Sequence, residues 1–427
     1  VSSATYRTLL RTPGAAAFFL TAAVGRVGIA MTSLGIVWLV HGQTDSYADA
    51  GLVTGGCAVA EALAGPQVAR LMDHFGQTRV LPPALLAHAA SVLTLLTLVA
   101  GGSPSWLMTA GGVLVGATVP QLGALSAARW SALLRGDRSA GLPTAFALES
   151  LSNALGYLVG PALVSTIGAG GHPALGTVLA AVLVVAGGLA FAAQHSTAPP
   201  PVSAFAERTR ARGSLLRPDF AVLVVHNLAI GVYFGAMQVS VTAFAVAHGA
   251  PDAAAPLFAV SSCSGLLAGW LYGLRRWRAK PRVQLAAATT GLALGSLLLF
   301  AAGSPLGLGF VIVVTGTAVP PILVLFSVLA ESAVHQAVLT QAFTWLNSAS
   351  AAGAAGAAAI SGWAVDASGA TGGFAAATTA AATMAVLAAA GIRARYGPRR
   401  QLARQEPTRP KERSRDERTM PGTQPPT

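Results

Sequence analysis

The chain is short of charge. Only 10% of its 427 residues are Asp, Glu, Lys or Arg, against roughly 25% in an ordinary soluble protein. So few charges cannot clothe a water-facing surface of this size. That excludes a soluble enzyme, a nucleic-acid-binding domain and a disordered scaffold. Cysteine is nearly absent: Cys57 and Cys263 are the only two, too few for a disulfide framework or a cysteine metal cluster. Lysine is reduced to Lys280 and Lys411. The positive charge is otherwise Arg, and with abundant Ala, Gly and Val this suggests GC-rich coding and a bacterial source. The sequence has no Gly-x-x-x-x-Gly-Lys-Ser/Thr loop, so ATP is not expected to supply energy within this chain. It has no His-Glu-x-x-His, Gly-x-Ser-x-Gly or paired-Asp motif either, so neither an enzyme nor a metal or other cofactor is expected.

What remains is apolar: 53% of residues are hydrophobic and the mean hydropathy is +0.61. A membrane helix needs about 20 mostly apolar residues. Twelve such stretches run over residues 15–40, 48–69, 80–101, 106–128, 145–168, 173–194, 219–246, 255–274, 283–302, 307–330, 342–365 and 372–394. They lack the ten-residue alternation of a barrel strand, and in lipid a helix satisfies its own backbone. The fold expected is therefore an all-α membrane protein with twelve transmembrane helices. The first stretch is too long for a signal peptide's apolar core and contains Arg26, so it reads as a retained helix. Gly111, Gly112, Gly353 and Gly356 are expected to let helices approach closely.

Charge placement sets the orientation. All but one of the 27 basic residues lie in the N-terminus, the even-numbered connections, the tail, or helix ends bordering them. The odd-numbered connections hold no Lys or Arg. Both termini are therefore expected in the cytoplasm, in a bacterial inner membrane. The exception is Arg26, inside the first stretch. Residues 195–218 carry Pro199, Pro200, Pro201 and a basic run and read as a cytoplasmic linker. The organisation expected is a six-helix half over 1–194, this linker, a second six-helix half over 219–394, and a disordered basic tail over 395–427. The tail has no interleaved aromatics, so nucleic acid is not an expected partner despite the net charge of +12.

The chain repeats itself at about 200 residues. Gly116-Ala117-Thr118-Val119-Pro120 matches Gly316-Thr317-Ala318-Val319-Pro320. Ala145-Phe146 matches Ala342-Phe343, Gly156 matches Gly353, and Ala64-Gly65 matches Ala268-Gly269. The words recur in order on corresponding stretches. Six helices repeated in the same orientation give parallel halves related by an axis along the membrane normal.

In this arrangement the chain resembles a Major Facilitator Superfamily transporter over about residues 8–394. That family's second loop reads Gly-x-x-x-Asp-(Arg/Lys)-x-Gly-(Arg/Lys)-(Arg/Lys). Here Asp73 and Gly76 match, Arg79 is displaced by one, and Ala69, His74 and Gln77 depart. The resemblance implies that Asp73 helps latch the cytoplasmic ends of the two halves; the alternative is a tight turn around Gly76 with Asp73 capping the third span. Gly156-x-x-x-Gly160-Pro161 resembles a motif of proton-coupled drug-efflux members and implies a kink and close packing at the interface of the halves.

Polar residues within the spans are costly and mark function by default. Arg26 needs a partner, and Glu61 and Glu149 are the two acids well inside spans. A carboxylate alternating between Arg26 and a proton would couple proton flow to substrate movement; a static ion pair fixing helix packing is the equal alternative. Asn153, His226, Asn227, Tyr233, Gln238, Trp345 and Asn347 are candidates for a substrate cavity, with hydrogen-bonded packing the simpler role for His226. Trp38 and Trp106 read as interface anchors, and His88 as packing without a polar neighbour. Pro120 and the pair Pro320-Pro321 are expected to bend corresponding helices. The function expected is secondary active transport by alternating access: proton-coupled export, as an antiporter, of a hydrophobic or amphipathic small molecule. The alternatives are a nutrient or sugar uptake permease and a non-transporting receptor or assembly factor. Expected partners are that substrate, protons and the lipid bilayer, and the chain is expected to act as a monomer.

Overall fold

A computed structural model describes residues 5–201, 211, 213–275 and 277–396. Within them the chain is helical, with no strand. A single turn, α1 (Tyr6–Leu10), precedes α2 (Ala15–Thr44), α3 (Tyr47–Phe75), α4 (Gln77–Ala100), α5 (Ser105–Thr118), α6 (Leu122–Leu133), α7 (Leu142–Ala169) and α8 (Pro173–Ala192). The second set is α9 (Pro218–Ala247), α10 (Ala254–Leu274), α11 (Pro281–Leu297), α12 (Pro305–Ala333), α13 (Leu339–Ser368) and α14 (Ala370–Tyr396). The expected tail falls almost wholly outside the described residues, as does much of the linker.

Sequence sets these boundaries locally. Proline opens α7, α8, α9, α11 and α12, where its missing N–H costs nothing. Ser46 and Ser304 cap α3 and α12 by accepting from the backbone N–H groups of Asp49 and Gly307. Gly76, at φ 93°, is the whole connection between α3 and α4. The left-handed backbone there favours a residue without Cβ.

Among the described residues ten helical segments are long and apolar enough to cross a membrane by length and composition, with α5 and α6 counted as one segment, Ser105–Leu133. The remaining two long helices, α3 and α13, have 29 and 30 residues but too little hydropathy. Glu61, Gln67 and Thr54 dilute α3, and α13 is built largely of Ala, Gly and Ser around Asn347. The shortfall has a spatial reason: these two helices pack against each other across the middle of the molecule.

The sequence repeat reappears as repeated packing. Gly116 of α5 lies against the Cys57 carbonyl of α3, and Gly316 of α12 lies against Ser261 and Ser264 of α10. Gly156 of α7 rests on the Arg26 carbonyl of α2, and Gly353 of α13 on the Leu228 carbonyl of α9. Gly112 meets Val53, as expected of a small interface residue, but a side chain added at Gly356 would meet nothing within 4 Å. Helices α2 to α8 pack chiefly on one another, as do α9 to α14; the two sets meet along α3–α13 and along α7 with α10 and α12.

Contacts between the sets cluster at the end that carries Tyr6 and Asp73. There Phe146 meets Phe343 at 5.8 Å between ring centroids. The Thr144 hydroxyl donates to the Gly273 carbonyl at 3.1 Å, and the Tyr6 hydroxyl donates to the Trp270 carbonyl at 3.0 Å. Toward the other end of α3 and α13, side chains added at Gly51, Gly55 and Gly362 would meet nothing within 4 Å. The end that carries Asp73 is thus shut by contacts between the two sets.

Candidate functional site

Arg26 pairs with Glu149 rather than with Glu61. Both are buried. One Glu149 oxygen takes the Arg26 guanidinium. The other accepts from the Ser126 hydroxyl at 2.6 Å and from the Trp130 indole N–H at 2.7 Å. Trp130 is itself wedged edge-on against Phe18, 4.9 Å between centroids. Three donors on one carboxylate tie α2, α6 and α7 together. Hydrogen bonds to an ionised acceptor are strong, and a buried pair survives only when its remaining lone pairs are met in this way.

Glu61 stands apart, half-buried on α3. Its hydrogen-bond partner among the described residues is the Gln121 side-chain amide, 3.3 Å away. Gln121 sits in the interruption between α5 and α6. Cys57, one turn along α3, and Tyr157 on α7 lie within electrostatic reach of the Glu61 carboxylate. Tyr157 is exposed, as is Asn153 one turn before it. Glu61 and this face of α7 therefore lie near each other.

At the shut end, the Asp73 carboxylate accepts from the Gln341 backbone N–H at 2.9 Å. Gln341 lies in the first turn of α13, whose unpaired N–H groups and dipole favour a negative charge. Burial pushes the Asp73 carboxyl up to about 7, and the hydrogen bonds it accepts hold it from rising further. Arg79 is exposed.

Arg129 is the buried charge that sequence reasoning missed. It reads as an orienting charge at a helix end, yet it is fully buried. Its Nε donates to the Gln77 side-chain oxygen at 2.9 Å, and Nη1 donates to the Gln194 carbonyl and the Thr197 hydroxyl, both at 3.0 Å. Its guanidinium carbon lies 3.7 Å from the centroid of the Phe191 ring, a cation–π distance. The available signal was its place within the apolar run Ala127-Ala128-Arg129-Trp130.

A family model, described as Major Facilitator Superfamily, matches residues 18–357. The chain belongs to this superfamily. No curated protein matches the sequence, but solved structures match the fold. A bacterial homologue of the iron transporter ferroportin, in an outward-facing state, aligns with TM-score 0.71 at 12% identity, covering 88% of this chain and 98% of that one. FucP, the E. coli fucose:proton symporter, in the outward conformation, aligns with TM-score 0.67 at 15% identity and the same two coverages. The human organic anion transporter MFSD10 aligns with TM-score 0.66 at 15% identity, covering 90% of this chain and all of that one. The chain is thus a multi-pass membrane protein of a transporter superfamily.

Against the superfamily's loop motif, the departure at Gln77 now has a partner. Gln77 fills a position that is basic in the motif, and here the positive charge beside it comes from Arg129 instead.

Other expectations need correction. Gly156 and Gly160 do pack closely, but on Arg26, Val27, Ala30 and Met31 of α2; the contact is inside the first helix set, not between the sets. The paired prolines also behave differently. Pro120 interrupts its helix, whereas Pro320 and Pro321 sit within the unbroken α12. His88 has a polar neighbour after all, the Thr118 hydroxyl at 3.3 Å.

The proposed cavity residues divide by exposure. Asn153, Gln238, Trp345 and Asn347 are exposed, while His226, Asn227 and Tyr233 are buried. His226 and Asn227 bond to the Val222 and Leu223 carbonyls of their own helix at 2.7 and 2.9 Å. All three lie on the side of α9 that is buried in the packed second set.

Proposed function

We propose that the protein is a secondary active transporter that exports a hydrophobic or amphipathic small molecule in exchange for protons. In this reading twelve helices form two parallel six-helix halves, with both termini in the cytoplasm of a bacterial cell. The shut end is then cytoplasmic, by the placement of Arg residues, and the molecule faces outward. The observation that carries the reading is the contrast between the two intramembrane acids. Glu149 is held by three donors and acts as a packing pair with Arg26. Glu61 has one neutral partner, is partly exposed, and is the carboxylate free to take and release a proton. An ionised carboxylate in this position is costly, so exchange of protons and substrate there is the natural way to neutralise it. Cavity walls are contributed by Asn153, Tyr157, Gln238, Trp345 and Asn347.

The test is flux in reconstituted vesicles across a compound panel, with and without a pH gradient. Gradient-driven flux is expected for the native protein and should be lost in Glu61→Gln. Gradient-driven flux that persists in Glu61→Gln would overturn the assignment of Glu61. Accumulation in the direction of proton entry would replace export by uptake.

A further inference from the structure

The interruption of the fourth span leaves backbone groups unmet at the level of Glu61. Pro120 has no N–H to give. The Val119 N–H turns back to the Gly116 carbonyl at 3.3 Å, and the Leu122 N–H turns to the Pro120 carbonyl at 2.9 Å. The regular pattern resumes with Leu125 donating to the Gln121 carbonyl at 3.1 Å. The carbonyls of Ala117, Thr118 and Val119 are consequently left with no hydrogen-bond donor among the described residues. Inside a membrane such groups must find a partner in a cavity or ligand.

The register between α3 and α5 brings Glu61 to this spot. Gly112 packs on Val53 and Gly116 on Cys57. The next step of four residues on each helix sets Glu61 beside Pro120, where Gln121 reaches it. A helix C-terminus carries partial negative charge, here added to a carboxylate. No Lys or Arg of the described residues pairs with Glu61, and Arg26 is taken by Glu149.

The second half of the repeat supplies a control. The positions matching Glu61 and Gln121 are Gly265 and Pro321, and α12 runs through Pro320 and Pro321 without a break. Carboxylate, amide and broken helix occur together in one half and are all missing from the other. Had the break merely shaped a helix, the matching prolines would have sufficed to produce it twice.

We propose that the Glu61 carboxylate and the unpaired carbonyls ending α5, joined by the Gln121 side-chain oxygen once its amide turns over from the N–H contact with Glu61, form a binding site for a monovalent cation of sodium size. Unwound carbonyls and helix C-termini beside a carboxylate are suited to such an ion. The cation competes with the proton for Glu61. Its link to transport rests on the reading of Glu61 given above. The other titratable groups around the site are Cys57 on the same helix, Tyr157 from α7, His88 bonded to Thr118, and Arg26 near Gly123 but held by Glu149.

The experiment is thermal unfolding of the purified full chain in detergent, titrating sodium chloride against choline chloride at constant ionic strength. At about pH 8.5 the midpoint should rise saturably with sodium, less so at about pH 6, with lithium able to replace sodium. Gln121→Ala should raise the half-saturating sodium concentration at least about tenfold, and Glu61→Gln should abolish the effect. Absence of a sodium effect in the native protein, or an equal effect in native, Gln121→Ala and Glu61→Gln proteins, overturns the site. Proton-driven flux lost in Glu61→Gln without any sodium effect would leave the transport reading standing and remove the cation site. A sodium effect that depends on Glu61, beside proton-driven flux that does not, would do the reverse.

Discussion

Phe146 and Phe343 hold equivalent places in the two repeats, and their rings meet each other, 5.8 Å apart and tilted by 65°. A residue can touch its own repeat-mate only near the axis that relates the halves. The surrounding contacts obey the same axis: Gly65 of α3 faces Thr344 of α13, and Gly269 of α10 faces Leu151 of α7. Edge-to-face aromatic pairs are worth about 0.5–1.5 kcal/mol beyond their buried area. Phe146→Ala and Phe343→Ala should each lower the unfolding midpoint in detergent, and the double variant should lose less than the sum by about that amount. Strict additivity would mean that the rings touch without coupling.

The Arg26–Glu149 pair predicts an order of stabilities that distinguishes packing from switching. Glu149→Gln leaves a buried guanidinium without its counter-charge, at a cost of about 3–5 kcal/mol. Replacing both partners, as Arg26→Met with Glu149→Leu, removes the uncompensated charge and should cost less than Glu149→Gln alone. Ser126 and Trp130 would then lose an acceptor, which keeps the double change from being neutral. Unfolding midpoints that rank the double variant below the single one would contradict the packing role.

The repeat and the membrane character were legible because each leaves a one-dimensional trace: apolar length and recurring Gly-Pro words. The ion pair was half legible. Lipid dictates that Arg26 needs an acid, but two acids stood at a suitable depth, and only helix rotation chooses between them. Arg129 was misread because a charge at a helix end looks the same in sequence whether it faces water or the interior. The break at Pro120 escaped for a different reason. Its repeat-mate Pro320 lies in an intact helix, so proline alone does not decide; the tight seat of Gly116 on Cys57 and the pull of Glu61 on Gln121 accompany the break.

Arg129 itself should be intolerant of a substitution that keeps charge but changes shape. Its planar fork serves Gln77, Gln194 and Thr197 while stacking on Phe191, a set that a lysine ammonium cannot reproduce. Arg129→Lys should destabilise by about 1–3 kcal/mol through buried acceptors left unmet, and Arg129→Ala by more. A lysine variant as stable as the native protein would show that charge alone is required there.

Asp73 gives the shut end a pH dependence whose sign can be worked out. In the shut arrangement burial holds its carboxyl up at about 7, against an ordinary 3.8. An open arrangement that returns Asp73 to water binds the proton less tightly. The advantage this confers on the shut state is complete below the ordinary value, where both arrangements are protonated, and is lost as pH rises through about 7. Alkalinisation should therefore loosen this end. A single cysteine placed at Ala147, which abuts Gly273 of the other helix set, reports it, with Cys57 and Cys263 replaced by Ala. Labelling by a water-soluble maleimide should be slow at about pH 6 and faster at about pH 8. The reagent's own pH dependence is removed by comparison with Asp73→Asn, whose side chain stays neutral throughout and should show no gate-dependent change. A native rate that follows the Asp73→Asn rate at every pH would show that Asp73 holds the end shut by hydrogen bonding alone, without sensing protons.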